Sequence, residues 1–424
     1  MSDLYNNKNI GEGICFSDVY DKKFKTNLVV VRFITKLNED LSPKISLLFD
    51  VLGTSNKNIK SRSKFNEQLI DLYDSTLKTF AYSYSDYLVA GISVNFISDK
   101  YTIDEEKIST KAVKILLDCI FEPDVQNELF NDKYFNQSKN DLIETIKSQI
   151  NDRHGYANIR ANSFIFKDEP IAIYENGTVE VVEKINNQDL YPVYKELLKN
   201  SFIDISVVGQ EENYDLNQML FDKFVNLNRN KNISINFLSP STIKKQPLEV
   251  SEKFDVNQCK MIMAFKTDSD DLYAQKVMSA IFGGTSFSKL FTNVREKLSL
   301  CYYCHSTFGT FLDCKATMLV DSGIDKSNIE KAKSEIIKQL KLIADGDFSD
   351  EILENSKKSL YNSINTRKDN IVSLNSFYFT ERVNETNYSI DDINKIINSV
   401  SRDRVIEAAK SFKLDTVYVL EPEV

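Results

Sequence analysis

Residues 283–306, GGTSFSKLFTNVREKLSLCYYCHS, decide how this chain is read. A glycine pair opens the stretch, where a tight turn costs little. Phe287, Leu290, Phe291, Val294 and Leu298 follow at i, i+3, i+4, i+7 and i+11. That spacing predicts an amphipathic helix over 286–298 with one apolar stripe. The aromatic run after it predicts a strand. Arg295 lies at the edge of the stripe, and Tyr302 comes seven residues later in the strand.

Working outward, the same plan occurs earlier in the chain. Asn27–Thr35 is a β-branched run and predicts a strand. Ser42-Pro43 starts a helix that carries Ile45, Leu48, Phe49 and Leu52 at helical spacing and stops at Gly53. A polar loop, a helix with Phe65, Leu69 and Leu72, and strands near Thr79–Ser85 and Leu88–Ile97 come next. Helices are predicted over about 109–121, 125–150, 157–166 and 188–199, and a strand over Phe202–Val208. The second half repeats the order. Lys260–Thr267 parallels Val29–Thr35, and Asp271–Gly284 parallels the helix ending at Gly53. Ser286–Leu298 parallels Lys64–Thr76, with Phe287 on Phe65, and Leu312–Val320 parallels the strand ending at Ile97. Asn375–Phe379 parallels Asn162–Phe166, and Val417–Leu420 parallels Ile205–Val208. Duplication of an α+β unit of ordinary domain size follows. The expected domains are 1–225 and 253–424. The linker, 226–252, is rich in Asn, Lys, Ser and Pro and has a short strand at 233–237.

A chain of 424 residues with 42% apolar and 27% charged residues is expected to be globular, with more than one core. A net charge of −9 argues against nucleic acid or an anionic membrane as the main partner. The N-terminus has no basic segment followed by an apolar run, and no stretch is long enough to span a bilayer. A cytoplasmic location is therefore expected, with the six cysteines as reduced thiols.

Cys301-Tyr-Tyr-Cys304-His305 spells the spacing of a haem attachment site, a redox pair or a zinc knuckle. On a regular strand, Cys301 and His305 would face one way and Cys304 the other. Even with Cys314 nearby, a shared metal or disulfide is not expected. His154, in a turn-like polar segment, is expected at the surface or in a cap, since one imidazole is no metal site. Asp268, Asp270 and Asp271 precede a helix, where Asp caps belong.

The repeated unit and GGTSFSKLFTNVREKLSLCYY resemble the insulinase/pitrilysin-like peptidases with the inverted zinc motif. INDRHGYANIRANSFIFKDEPIAIYENG and DLYPVYKELLKNSFIDISVVG resemble the family's non-catalytic partners in Gram-positive bacteria. The resemblance spans nearly the whole chain. It implies an α+β fold of two tandem homologous domains in a clam shape, each an antiparallel-rich sheet covered by helices. Active members carry H-x-x-E-H on the first-domain helix that ends before a Gly-Thr: two zinc-binding His one turn apart and a Glu as general base. Counted back from Gly53-Thr54, those positions hold Lys44, Leu47 and Leu48 here, and the first 153 residues contain no His. Glu144 stands near the place of the third ligand and is expected to be a solvated helix residue. No cofactor is expected in this chain.

The resemblance also implies a role for Arg295 and Tyr302. They match the second-domain pair that binds substrate beside the scissile bond. The duplication supplies a control: with Phe65 on Phe287, Tyr73 stands opposite Arg295 and Phe80 opposite Tyr302, so the repeated unit requires no charge there. A guanidinium fork suits a peptide carbonyl or carboxylate, and a Tyr hydroxyl suits a developing oxyanion. The expected function is a pseudo-peptidase subunit, inactive alone. It pairs as a heterodimer with a homologous subunit that carries zinc, and Arg295 and Tyr302 act in trans on an unstructured peptide substrate. The alternative is a peptide-binding scaffold in peptide maturation or translation-factor modification. An autonomous zinc peptidase is disfavoured by the shortage of His.

Overall fold

The computed structural model describes residues 4–235, 242–311 and 315–423. The fold is α+β, with two compact units each built on one mainly antiparallel sheet. The first sheet holds β1 (Leu4–Gly11), β2 (Ile14–Tyr20), β3 (Thr26–Lys36), β4 (Thr76–Tyr84), β5 (Tyr87–Ile97) and β6 (Phe202–Gly209). Their order is β1-β2-β6-β3-β5-β4, and only β2 and β6 run parallel. Residues 4–20 supply two paired antiparallel strands, β1 and β2. The run LVVVRFI explains the central place of β3: a strand covered on both faces needs a near-continuous apolar sequence, and Leu28–Ile34 are all buried.

The second sheet holds β7 (Leu248–Phe254), β8 (Cys259–Lys266), β9 (Cys301–Phe311), β10 (Lys315–Ile324) and β11 (Lys413–Pro422), in the order β9-β10-β8-β11-β7. Part of the expected strand 312–320 lies outside the described residues. So does the end of the expected linker strand, whose first residues, 233–235, have no regular structure.

The first half supplies helices α1 (Ser42–Leu52), α2 (Arg62–Asp71), α3 (Ser109–Phe121), α4 (Asp132–Ser148), α5 (Arg153–Ile165), α6 (Asn187–Asn200) and α7 (Tyr214–Val225). The second supplies α8 (Leu272–Ser279), α9 (Leu290–Lys297), α10 (Ile329–Ala344), α11 (Asp350–Asn365), α12 (Ile371–Val383), α13 (Ile390–Asn398) and α14 (Arg402–Ser411). The helix expected from 125 starts only at 132. Asn127 and Glu128 both take left-handed backbone and close a small hairpin, Val125–Gln126 against Leu129–Phe130. Among the described residues no helix is long and apolar enough to cross a membrane.

The units do not follow chain order. Residues 149–172, with α5, belong to the second unit, and residues 369–380, with most of α12, belong to the first. On α5, Ala157, Ala161 and Ile165 pack with Ile262, Ala264, Tyr418 and Leu420 of the second sheet. In the first unit, Asn375 of α12 donates to Ser206 Oγ of β6 at 2.8 Å, and Phe379 lies 4.4 Å from the Arg32 guanidinium. The matching segments Asn162–Phe166 and Asn375–Phe379 are thus traded between the sheets.

Candidate functional site

The helix that ends at Gly53, on which the resemblance would place the metal-binding positions, is α1. Leu47 and Leu48 are fully buried and belong to the core of the first unit with Val51, Phe33 and Leu116. Neither offers a donor, so these residues do not fit a zinc ion. Glu144 on α4 is exposed and pairs with Lys147 at 3.2 Å. Among the described residues no three His, Cys, Asp or Glu are placed to hold a metal. The same helix does carry a carboxyl that sequence reading missed. Burial pushes Asp50 up to about 6, although Thr79 Oγ1 donates to it at 3.5 Å.

The stretch 283–306 folds as a turn, a helix and a strand, but the helix differs from expectation. It begins at Leu290 and is π-type. Its wider turn breaks the predicted stripe: Leu290 and Val294 are buried, whereas Phe287 and Leu298 are exposed. Gly283 is needed for the close approach to β9, since a Cβ there would stand 2.6 Å from Ser306 N.

The same geometry corrects the internal control. The hydrogen bond that closes each helix onto its strand runs from Ser75 N to Leu69 O in the first unit and from Leu300 N to Val294 O in the second. Phe65 therefore matches Leu290, not Phe287, and both are buried. Ile70, not Tyr73, stands at the place of Arg295. Leu77, not Phe80, is the second residue of its strand, as Tyr302 is of β9. Both replacements are aliphatic, so the control still requires no charge.

Arg295 and Tyr302 do come together. Arg295 Nε donates to the Tyr302 backbone carbonyl at 3.0 Å, and its guanidinium lies 4.6 Å from the Phe291 ring. The rest of the fork has no hydrogen-bond or ion-pair partner among the described residues. Tyr302 is 61% exposed, and its hydroxyl donates to Asp325 Oδ1 at 3.3 Å. The pair is thus held in place by the backbone while a charged fork and a phenol face solvent.

Cys301 and Cys304 overturn the expected alternation. A bulge between Cys301 and Tyr303 shifts the register, so Cys301 lies opposite Ile324 and Cys304 opposite Ser322. Those partners are two residues apart on β10 and share a face, so the cysteines share one too. Both are buried, and their sulfurs are hydrogen bonded. That bond and the nearby Arg295 charge hold the Cys301 thiol below its usual range, whereas the same bond, burial and the Asp321 charge raise Cys304 well above it. Cys314 lies outside the described residues.

His154 is half exposed, as expected, yet it is not idle. Asp152 is the cap of α5, and His154 Nδ1 sits 3.0 Å from Asp321 Oδ2, a buried carboxylate. His305 is the cross-strand partner of Asp321, and the Tyr303 ring lies 6.4 Å from His154 and 5.7 Å from His305. The chain's two histidines therefore meet around one tyrosine, which no sequence spacing signalled.

A family profile described as the peptidase M16 inactive domain matches residues 184–360. A Bacillus subtilis protein named probable inactive metalloprotease YmfF is 28% identical over 413 residues, 96% of each chain. The chain is thus similar over nearly its whole length to proteins of the insulinase-like M16 peptidase family. A conserved protein from Enterococcus faecalis superposes with a TM-score of 0.89 at 28% identity, over 99% of each chain. An M16 inactive domain from Pseudomonas fluorescens shares the fold with a TM-score of 0.80 at 16% identity, again over 99% of each. The chain contains no H-x-x-E-H sequence, and Leu47 and Leu48 of α1 are buried.

Proposed function

We propose that the chain is a non-catalytic M16 subunit, formed by duplication of halves 1–225 and 253–424, that pairs with a zinc-bearing homologue. Arg295 and Tyr302 then bind the peptide substrate in the partner's site. One observation carries this reading. A charged fork and an exposed phenol are pinned by the chain's own backbone on a helix–strand unit whose counterpart carries only Ile70 and Leu77. In that role the Arg295 fork would hold a peptide carbonyl or carboxylate, and the Tyr302 hydroxyl would donate to the oxyanion as it forms. The similarity to a relative named a probable inactive metalloprotease supports the non-catalytic part.

The test mixes this chain with an H-x-x-E-H homologue from the same genome and follows cleavage of unstructured peptides. Neither chain should cleave alone at the mixture's rate. Tyr302→Phe should lower kcat of the mixture about 100-fold, the usual cost of one oxyanion donor. A partner equally active alone, or an Arg295→Ala mixture with unchanged kcat/KM, would sink the proposal.

A further inference from the structure

The motif Cys301-x-x-Cys304 has no part in the function proposed above. On a regular strand, residues three apart span roughly 10 Å at 3.4 Å per residue and face opposite ways. The bulge removes one step. Measured along β10, the two positions are two residues apart, roughly 6.8 Å, which lies at the upper end of what a disulfide bridges. The two side chains already touch through their sulfurs. The dithiol is also asymmetric. Cys301 is 8% exposed and lies beside Arg295, whereas Cys304 is 3% exposed. Cys119 shows the opposite case in the first unit: a buried thiol without a cation, pushed up to about 12.

We propose that Cys301 and Cys304 are a redox-active dithiol, oxidised to an intramolecular disulfide by a low-molecular-weight disulfide such as oxidised glutathione. The Cys301 thiolate attacks one sulfur of the small disulfide, breaks its S–S bond and releases one small thiolate. Cys304, once deprotonated, attacks the Cys301 sulfur of the mixed disulfide and expels the second. Two protein thiols are oxidised, one small disulfide is reduced to two thiols, and the two protons pass to the leaving groups. Tyr302 lies between the two cysteines, and its carbonyl anchors Arg295. Closing the bond therefore displaces the anchor of the Arg295 fork. The chemistry stands whether or not that fork serves a partner.

The experiment treats the folded full-length chain with excess oxidised glutathione, blocks free thiols and maps them by mass spectrometry. The peptide holding Cys301 and Cys304 should be unblocked by the reagent and lighter by two hydrogens. Cys304→Ser should stop at a glutathione adduct on Cys301, and Cys301→Ser should accumulate little adduct on Cys304. Arg295→Gln should slow closure several-fold at an unchanged thermal midpoint. If both thiols remain blockable in the folded chain, or close only after unfolding in urea, the proposal falls. An unchanged rate in Arg295→Gln would remove Arg295 from it.

Discussion

Both units bury a cation–carboxylate pair beside the traded helix, but they satisfy it differently. In the first, Arg32 is 4% exposed; its Nη1 donates to Asp204 at 2.7 Å and to Ser206 at 2.9 Å, and Nη2 donates to Asn375. In the second, Lys266 Nζ is 3.7 Å from Asp415 and donates to the Ile165 carbonyl at 2.9 Å. Lys244 duplicates both contacts, reaching Asp415 and Ile165 O at 2.9 Å each. One guanidinium does alone what two ammonium groups share. Removing the one cation beside a buried carboxylate leaves its charge uncompensated, whereas removing one of two leaves a cation in place. The first unit therefore relies on one cation where the second has two.

Arg32→Met should produce the largest effect, a fall of about 3–5 kcal/mol in unfolding free energy by denaturant titration. A fall no greater than that of Lys266→Met would break the comparison. Asp50 comes next. Three residues before the helix-ending glycine, the first unit has this carboxyl and the second has Ile281, fully buried. Its pKa is about 6 folded against 3.8 as the ordinary value, so between those pH values the folded chain binds more protons than the unfolded one. Stability should fall as pH rises through that window and stay lower above it. Asp50→Asn should remove this fall and gain roughly 2–3 kcal/mol at pH 7. Equal pH profiles for the two proteins would refute the assignment. Lys266→Met should cost about 1–2 kcal/mol, because Lys244 still satisfies Asp415. Arg295→Ala should change stability by less than about 0.5 kcal/mol, as an exposed side chain with one backbone contact. A larger loss would mark it as structural and weaken its proposed role.

Periodicity made the sheets and most helices readable, because alternation and helical stripes are local properties. The run in β3 announced a strand buried on both faces. The failures arose where local geometry departs from the ideal period. The π-type turn of α9 displaced Phe287 and Leu298 from the stripe and shifted the internal match by three residues. The bulge in β9 put Cys301 and Cys304 on one face against a simple alternation rule. Other features were out of reach because they join distant positions: Arg32 with Asp204, and His154 with Asp321. The Arg295–Tyr302 spacing was legible, but not that the contact uses a backbone carbonyl.

The trade of α5 and α12 has a consequence for synthesis on the ribosome. The strands of the first sheet have all emerged once Gly209 is made, yet the segment that satisfies Arg32 from α12 ends at residue 380. The nascent first unit must wait for most of the remaining chain with its buried charge incompletely covered. A gene split between residues 225 and 253 would therefore yield two products that each lack a helix the other carries, and co-expression would be needed to recover either as a folded protein.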